Sequence, residues 1–199
     1  MEYDVAIVGA RVAGASLALL LGRQGHRVLL LDRDRFPSDT LSTHLLQPAA
    51  VALLERLGVL EEVEELGLRR ISRLRACIED CAFEGPISGA VPGYALAPRR
   101  DWLDAILLRR ALDQAGVELL EGTAVEGLLW DQERVAGVRL KSRSIPARIV
   151  VGADGKDSHV ARWVEAETYI DLPSTRPIYY AYCRGLVPFP EPAMEIHFH

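Results

Sequence analysis

The sequence predicts an α/β fold, and three observations predict it. An apolar run from Val5 to Val8 meets a glycine turn, Gly9-Ala10-Arg11-Val12-Ala13-Gly14. A helical stretch closing at Gly25 is followed by a second apolar run, Val28 to Leu31, that ends in Asp32. Much later a third run, Arg148 to Val151, ends in Gly152-Ala153-Asp154-Gly155 and leads into a short helix, Ser158 to Val164. Short apolar runs of this kind suit parallel strands buried on both faces. Strand, glycine turn, helix, strand and acid, in that order, make the arrangement Rossmann-like and suited to the ADP half of a dinucleotide.

Each part of the opening has a physical task. Gly9 permits a tight turn, and Gly14 lets the helix lie close against the strand. The helix N-terminus turns its unpaired N–H groups and positive dipole end toward a pyrophosphate. Leu17, Leu20 and Leu21 are spaced as a helix face, and Gly25 is a C-terminal stop. Asp32 is placed to accept hydrogen bonds from ribose hydroxyls, although the neighbouring Arg33 also suits a 2′-phosphate. Arg11 stands where the motif has its middle glycine. With a positive φ it would cost about 1–2 kcal/mol; with an ordinary φ its side chain points outward or lies near the phosphate as a counter-charge.

Composition sets the class. The chain has 199 residues, 49% apolar and 26% charged, with a formal net charge of −5, which fits a globular protein and gives no sign of nucleic-acid affinity. No run reaches the roughly 18 apolar residues of a membrane span, and the opening lacks the basic leader of a signal peptide. Three cysteines, Cys77, Cys81 and Cys183, without framework spacing suggest a reducing, cytoplasmic setting. Cys77 and Cys81 fall in a segment that reads more as strand than helix, and within one strand residues four apart share a face about 13 Å from each other.

The rest of the chain alternates helices and strands. Helices are expected over Pro48 to Leu57, Leu60 to Leu66 and Asp101 to Ala115, the last stopped by Gly116. A strand-pair element is expected over Ile71 to Phe83, and strands at Tyr94 to Ala97 and at Val117 to Leu120. A hairpin is expected from Val125 to Trp130 and Val135 to Leu140, and further strands over Ile178 to Leu186 and Ala193 to His199. Asp154 beside its glycines reads equally as a cofactor contact or as part of a strand-to-helix turn with Asp154 or Asp157 as N-cap. His197-Phe198-His199 puts two histidines on one strand face, a weak metal signal, and no metal is expected.

Together these segments resemble the N-terminal part of an FAD-dependent monooxygenase of the p-hydroxybenzoate hydroxylase and geranylgeranyl-reductase-like type. The resemblance rests on Tyr3 to Ala18, on Arg100-Asp101-Trp102-Leu103-Asp104, and on Gly152 to Gly155 with Ser158, Val160 and Arg162. It implies a Rossmann-like FAD-binding domain over residues 1–165, with inserted strands at about 71–97, and the start of a substrate-domain sheet over 166–199. It implies FAD as cofactor, with Gly9, Ala10, Arg11, Val12, Ala13 and Gly14 at the pyrophosphate and Asp32, with Arg33 beside it, at the ribose. It further implies Arg100 at the phosphates or ribityl chain, Val125 at the adenine, and Asp154 and Gly155 near the pyrophosphate and ribose. Thr40, Ser42 and His44 would lie in the loop approaching the flavin. The implied reaction is hydroxylation of a small organic substrate with oxygen, NADPH or NADH serving as reductant; no catalytic residue is assigned.

The family carries a later Gly-Asp motif that does not follow Gly155 here. The chain is therefore expected to be about half of such an enzyme, completed by a C-terminal half or by a homo-oligomer partner. The alternative is a non-catalytic dinucleotide-binding half-domain that needs its missing part, and a nicotinamide dehydrogenase is a third reading.

Overall fold

A computed structural model describes residues 3–87, 92–172, 179, 181–185 and 191–198. In chain order the elements are β1 (Tyr3–Val8), α1 (Val12–Arg23), β2 (Val28–Leu31), α2 (Pro48–Arg56), α3 (Leu60–Glu64), β3 (Arg73–Ile78), β4 (Cys81–Pro86) and α4 (Arg100–Leu112). There follow β5 (Val117–Leu120), β6 (Val125–Asp131), β7 (Arg134–Leu140), β8 (Ser144–Gly152), α5 (His159–Trp163) and β9 (Ala193–Phe198). Two compact units result, Met1–Thr40 with Arg100–Leu172 and Leu41–Arg99 with Pro173–His199, a division that differs from a boundary at 165.

The first unit is built on a six-stranded sheet in the order β5-β2-β1-β8-β7-β6. The four strands β5, β2, β1 and β8 run parallel, and the β6–β7 hairpin extends the sheet antiparallel. This is the mixed α/β architecture expected from the sequence. Central strands β1 and β2 are apolar on both faces because both faces are covered. Ala6, Val8, Leu29 and Leu31 pack with Leu128, Val138, Leu140, Ile145, Ala147 and Val160 in one core cluster. On the opposite face Gly14 of α1 approaches Ile7.

Helix α1 buries Gly14, Ala15, Ala18 and Leu19 rather than the leucine stripe read from spacing, and Leu20 is 42% exposed. Its small residues face the strand because a close-packed helix leaves no room for longer ones. Gly25 follows the helix at φ +83°, as a C-terminal stop requires. Gly116 is not the stop of α4, which ends at Leu112. Instead a Cβ there would meet the His26 carbonyl at 2.6 Å, so Gly116 serves close backbone approach between β2 and β5. Strand β8 starts earlier than read, and its Ile149 is 57% exposed, so this edge of the parallel region is not buried on both faces.

The second unit contains α2, α3 and a three-stranded sheet in the order β4-β3-β9. Its first two strands correct the reading of Cys77 and Cys81. The chain turns at Glu79, where φ is +49°, so the cysteines lie on different strands, Cys77 opposite Ala82 and Cys81 opposite Ile78. Strand alternation then puts the two thiols on opposite faces, and both are free. One face of this sheet carries ion pairs, Arg73 with Glu84 at 2.6 Å and Arg75 with Glu195 at 3.3 Å. On the same face His197 pairs with Glu195 at 3.3 Å, while His199 lies outside the described residues. Tyr94 to Ala97 makes only isolated bridges, Leu96 to Leu46 and Ala95 to Ile71. Of the strand expected over Ile178 to Leu186, residues 178, 180 and 186 lie outside the described residues, and the described remainder is not in a strand.

Candidate cofactor-binding site

Three loops meet at the C-terminal ends of β2, β1 and β8, where an open α/β sheet places its ligand. Register produces this meeting: Val8 stands opposite Leu31 on one side and Gly152 on the other. The Gly9 N–H donates to the Leu31 carbonyl at 2.7 Å, and the Ala153 N–H donates to the Val8 carbonyl at 2.7 Å. Gly9 has φ +102°, and a side chain there would run into the Ala153 carbonyl. A Cβ on Gly14 would collide with the Gly9 carbonyl. Both glycines are required by close backbone approach, one between neighbouring turns and one between turn and helix.

The N-terminus of α1 is open. Arg11 is its N-cap residue but gives no side-chain capping bond, and the first turn holds no acid. Among the described residues the N–H groups of Val12, Ala13 and Gly14 meet no acceptor. Orphan donors together with the positive dipole end fit an anionic pyrophosphate. Asp32 lies beside this turn, 8% exposed, its Oδ2 accepting from the Ala10 N–H at 2.8 Å and its Oδ1 from the Asp34 N–H at 2.9 Å. A carboxylate has about four lone-pair sites, so each oxygen can still take a ribose hydroxyl. Arg33, next along, is exposed. The Thr123 N–H donates to the Asp32 carbonyl at 2.8 Å, bringing the start of β6, with half-buried Val125, toward the same strand end.

Arg11 leads to a residue that sequence reading missed. Its φ of −81° is ordinary, so the arginine stores no backbone strain. Its guanidinium is turned into its own protein, pairing with Asp34 at 2.9 Å and Asp104 at 3.1 Å. It also donates to the Ser38 carbonyl and hydroxyl and lies over the Phe36 ring. Two carboxylates answer its charge. Burial alone would lower its proton affinity, but the hydrogen bonds to Asp34 and Asp104 outweigh that and hold the guanidinium above its ordinary value. Asp104, on α4, is 0% exposed and also takes Arg100, from Nε at 2.9 Å and from Nη2 at 3.1 Å. The signal in the sequence was the Arg100–Asp104 spacing, which puts both on one helix face.

The N-cap of α5 is Ser158, and Asp154 supports that helix start from the turn before it. Its Oδ1 accepts from the Ser158 hydroxyl at 2.6 Å, and its Oδ2 from the N–H groups of His159 at 2.6 Å and Val160 at 3.3 Å. Burial pushes this carboxyl up, but the Ser158 hydroxyl and the two N–H groups outweigh it and hold the carboxyl below the usual aspartate range. Its side chain is thereby committed to α5. Gly155, at φ +87°, has open space where a side chain would stand.

Ser42 and His44 belong to the second unit. The Ser42 hydroxyl accepts from the His44 N–H at 3.1 Å, which supports His44 at φ +57°. The His44 ring stacks on Tyr182, with a hydrogen bond of 2.7 Å between its Nε2 and the Tyr182 hydroxyl, and the Arg99 guanidinium lies over the Tyr182 ring. Thr40, at the end of the first unit's segment, donates from its N–H to Asp39. Among the described residues, no group of three or more His, Cys, Asp or Glu is placed to hold a metal ion, and no helix is long and apolar enough to cross a membrane.

A parallel sheet with a glycine-opened helix N-terminus between two strand-end acids defines a nucleotide-binding α/β protein. Comparison with known proteins makes this more particular: the chain belongs to the FAD binding domain family, which matches residues 2–182. It is 35% identical over 175 residues to 6-methylpretetramide 4-monooxygenase of Streptomyces rimosus, covering 80% of this chain and 40% of that protein. It is 43% identical over 149 residues to a squalene epoxidase of Schizosaccharomyces pombe, covering 71% of this chain and 32% of that protein. The crystal structure of PqsL, described as a probable FAD-dependent monooxygenase from Pseudomonas aeruginosa, superposes with a TM-score of 0.75 at 32% identity, over 87% of this chain and 48% of that one. The chain thus spans less than half the length of these relatives. The cofactor of the family is FAD, and the open α1 N-terminus and Asp32 fit it.

Proposed function

We propose that the chain is the cofactor-binding part of an FAD-dependent monooxygenase that hydroxylates a small organic substrate with oxygen, using NADPH or NADH as reductant. The observation that carries this reading is the uncapped N-terminus of α1, set between Asp32 and the Asp154 turn at the ends of three parallel strands. In this reading the N–H groups of Val12, Ala13 and Gly14 hold the pyrophosphate, and Asp32 accepts the adenosine ribose hydroxyls. Gly9 and Gly14 allow the backbone to come that close. The Val125 backbone lies toward the adenine, and the Gly155 turn completes the phosphate end.

Bound FAD supplies the redox chemistry, and the protein supplies binding, orientation and exclusion of water. The names of the monooxygenase and epoxidase relatives support oxygen insertion as the reaction class. The test is to titrate the purified chain with FAD and with NAD, then mix the loaded protein anaerobically with NADH or NADPH. The reading expects FAD uptake and bleaching of the visible flavin band by one of the two nucleotides. Uptake of NAD without FAD would replace it with the dehydrogenase reading.

A further inference from the structure

Arg11 stands where the glycine-turn motif has its middle glycine, and its side chain grips two other parts of the first unit. In the loop after β2, Nη2 donates to Asp34 Oδ2 at 2.9 Å and to the Ser38 hydroxyl at 3.0 Å, and Nη1 donates to the Ser38 carbonyl at 3.1 Å. On α4, Nη1 also donates to Asp104 Oδ2 at 3.1 Å. Asp104 is fully buried and is itself held by Arg100, so it is a fixed anchor for the guanidinium. A partly exposed ion pair such as Arg11–Asp34 contributes little to stability by itself. What sets this one apart is the ring it closes. Asp32 Oδ2 accepts from the N–H of Ala10, the residue before Arg11, at 2.8 Å, and Oδ1 accepts from the Asp34 N–H at 2.9 Å. The Arg11 guanidinium then returns to the Asp34 side chain. Ala10, Arg11, Asp34 and Asp32 thus form a closed circuit of covalent and hydrogen bonds around one buried carboxylate. An aspartate carboxyl turns easily about its last bond, so its partners set its plane. One partner of Asp32 sits in the glycine turn. The other sits in the loop and keeps its place only while the loop does.

We propose that Arg11 is a positioning residue for ribose recognition: by tying Asp34 to the glycine turn, it fixes the plane of the Asp32 carboxylate on which the adenosine ribose docks. This rests on the reading that Asp32 accepts the ribose hydroxyls of FAD. A glycine at this position serves the phosphate by leaving room; the arginine serves the ribose by ordering the acid at the end of β2. The Gly122 N–H holds the Asp34 carbonyl at 2.9 Å, so the loop is secured through its backbone on one side and through Arg11 on the other.

The test compares FAD with an analogue whose adenosine lacks both ribose hydroxyls, each titrated into the folded chain and read by flavin fluorescence. The wild-type protein should prefer FAD by about tenfold to a hundredfold, the worth of a hydrogen bond to a charged group, and Asp32→Ala should remove that preference. Arg11→Gly, which restores the glycine of the motif, should shrink the preference by about threefold or more, as coupling within one hydrogen-bond network does. A merely structural role predicts weaker binding of both compounds with the preference intact, and that result would overturn the inference. Tighter binding of both with the preference intact would overturn it too, since the arginine would then only obstruct the phosphate. Asp34→Ala opens the same ring at a side chain that is 40% exposed and should shrink the preference in the same direction. It carries the test if Arg11→Gly does not fold. A folded wild-type chain that takes up no FAD, binds both compounds alike, or keeps its preference in Asp32→Ala would remove the ribose reading and this inference together. A preference that Asp32→Ala removes, and that Arg11→Gly and Asp34→Ala both keep, would remove the inference alone.

Discussion

Helices α1 and α5 begin from the same plan and receive different N-termini. Each follows one of two adjacent parallel strands, β1 and β8, through a turn containing glycine. Helix α5 is closed by its own chain: the Ser158 hydroxyl accepts from the Ala161 N–H at 3.0 Å, and the Asp154 carboxylate takes the N–H groups of His159 and Val160. Helix α1 has no acid in its first turn and no side-chain cap, and its N-cap arginine is held elsewhere by Asp34 and Asp104. An anion at a helix N-terminus can come from the chain or from a ligand. The contrast teaches that the site is made as much by what α1 lacks as by what it contains.

The largest break in the comparison comes from closing α1 sterically. Gly14→Val puts a side chain into the Gly9 carbonyl and the Ile7 side chain, and it should cost roughly 3 kcal/mol or more of stability and abolish FAD uptake. Thermal unfolding and a flavin titration check both. A stable, FAD-competent Gly14→Val protein would show that helix and turn do not need their close approach.

Asp32→Ala comes next. It removes the proposed ribose acceptor and should weaken FAD binding by about 1.5–3 kcal/mol, the worth of a charged hydrogen bond. It also leaves the Ala10 and Asp34 N–H groups without their acceptor, so a loss of stability should accompany it. Unchanged affinity, by fluorescence titration, would take Asp32 out of the site.

On the α5 side the effects are smaller and concern stability. Asp154 is held below the ordinary aspartate value of 3.8, so it favours the folded state fully above that value. The contribution fades as pH falls from 3.8 through its lowered folded value. Asp154→Asn should therefore flatten the acid limb of a stability-against-pH curve and cost about 1 kcal/mol at neutral pH, the usual worth of a helix cap. Acid unfolding followed by circular dichroism reads this directly. Identical acid limbs for the two proteins would mean that α5 is not held by this carboxylate.

Local chemistry made much of this legible in advance. The order strand, Gly9, helix, strand and Asp32 is set by neighbours in sequence, and so is the β6–β7 hairpin around Asp131 and Gln132. Long-range pairing was not legible. The register of β8 against β1, which brings the Asp154 turn against Gly9, depends on strands far apart in the chain. So does the parallel pairing of β9 with β3. The hairpin between Cys77 and Cys81 turns at Glu79 and Asp80, which carry no glycine or asparagine signal. Asp104 was hidden because its i,i+4 arginine also fits an exposed helix face. Its second partner, Arg11, comes from a distant loop.

The most direct test of the open N-terminus is to give α1 the acid that α5 has. Ala13 is exposed in the first turn, so Ala13→Glu introduces a carboxylate there without touching the core. Thermal unfolding and FAD titration should be measured on the same samples. The account predicts opposite signs: stability unchanged or raised by about 0.3–1 kcal/mol through the helix dipole, and FAD affinity reduced at least about tenfold by repulsion at the phosphates. Undiminished FAD affinity in a folded Ala13→Glu protein would contradict the claim that this helix end receives the pyrophosphate.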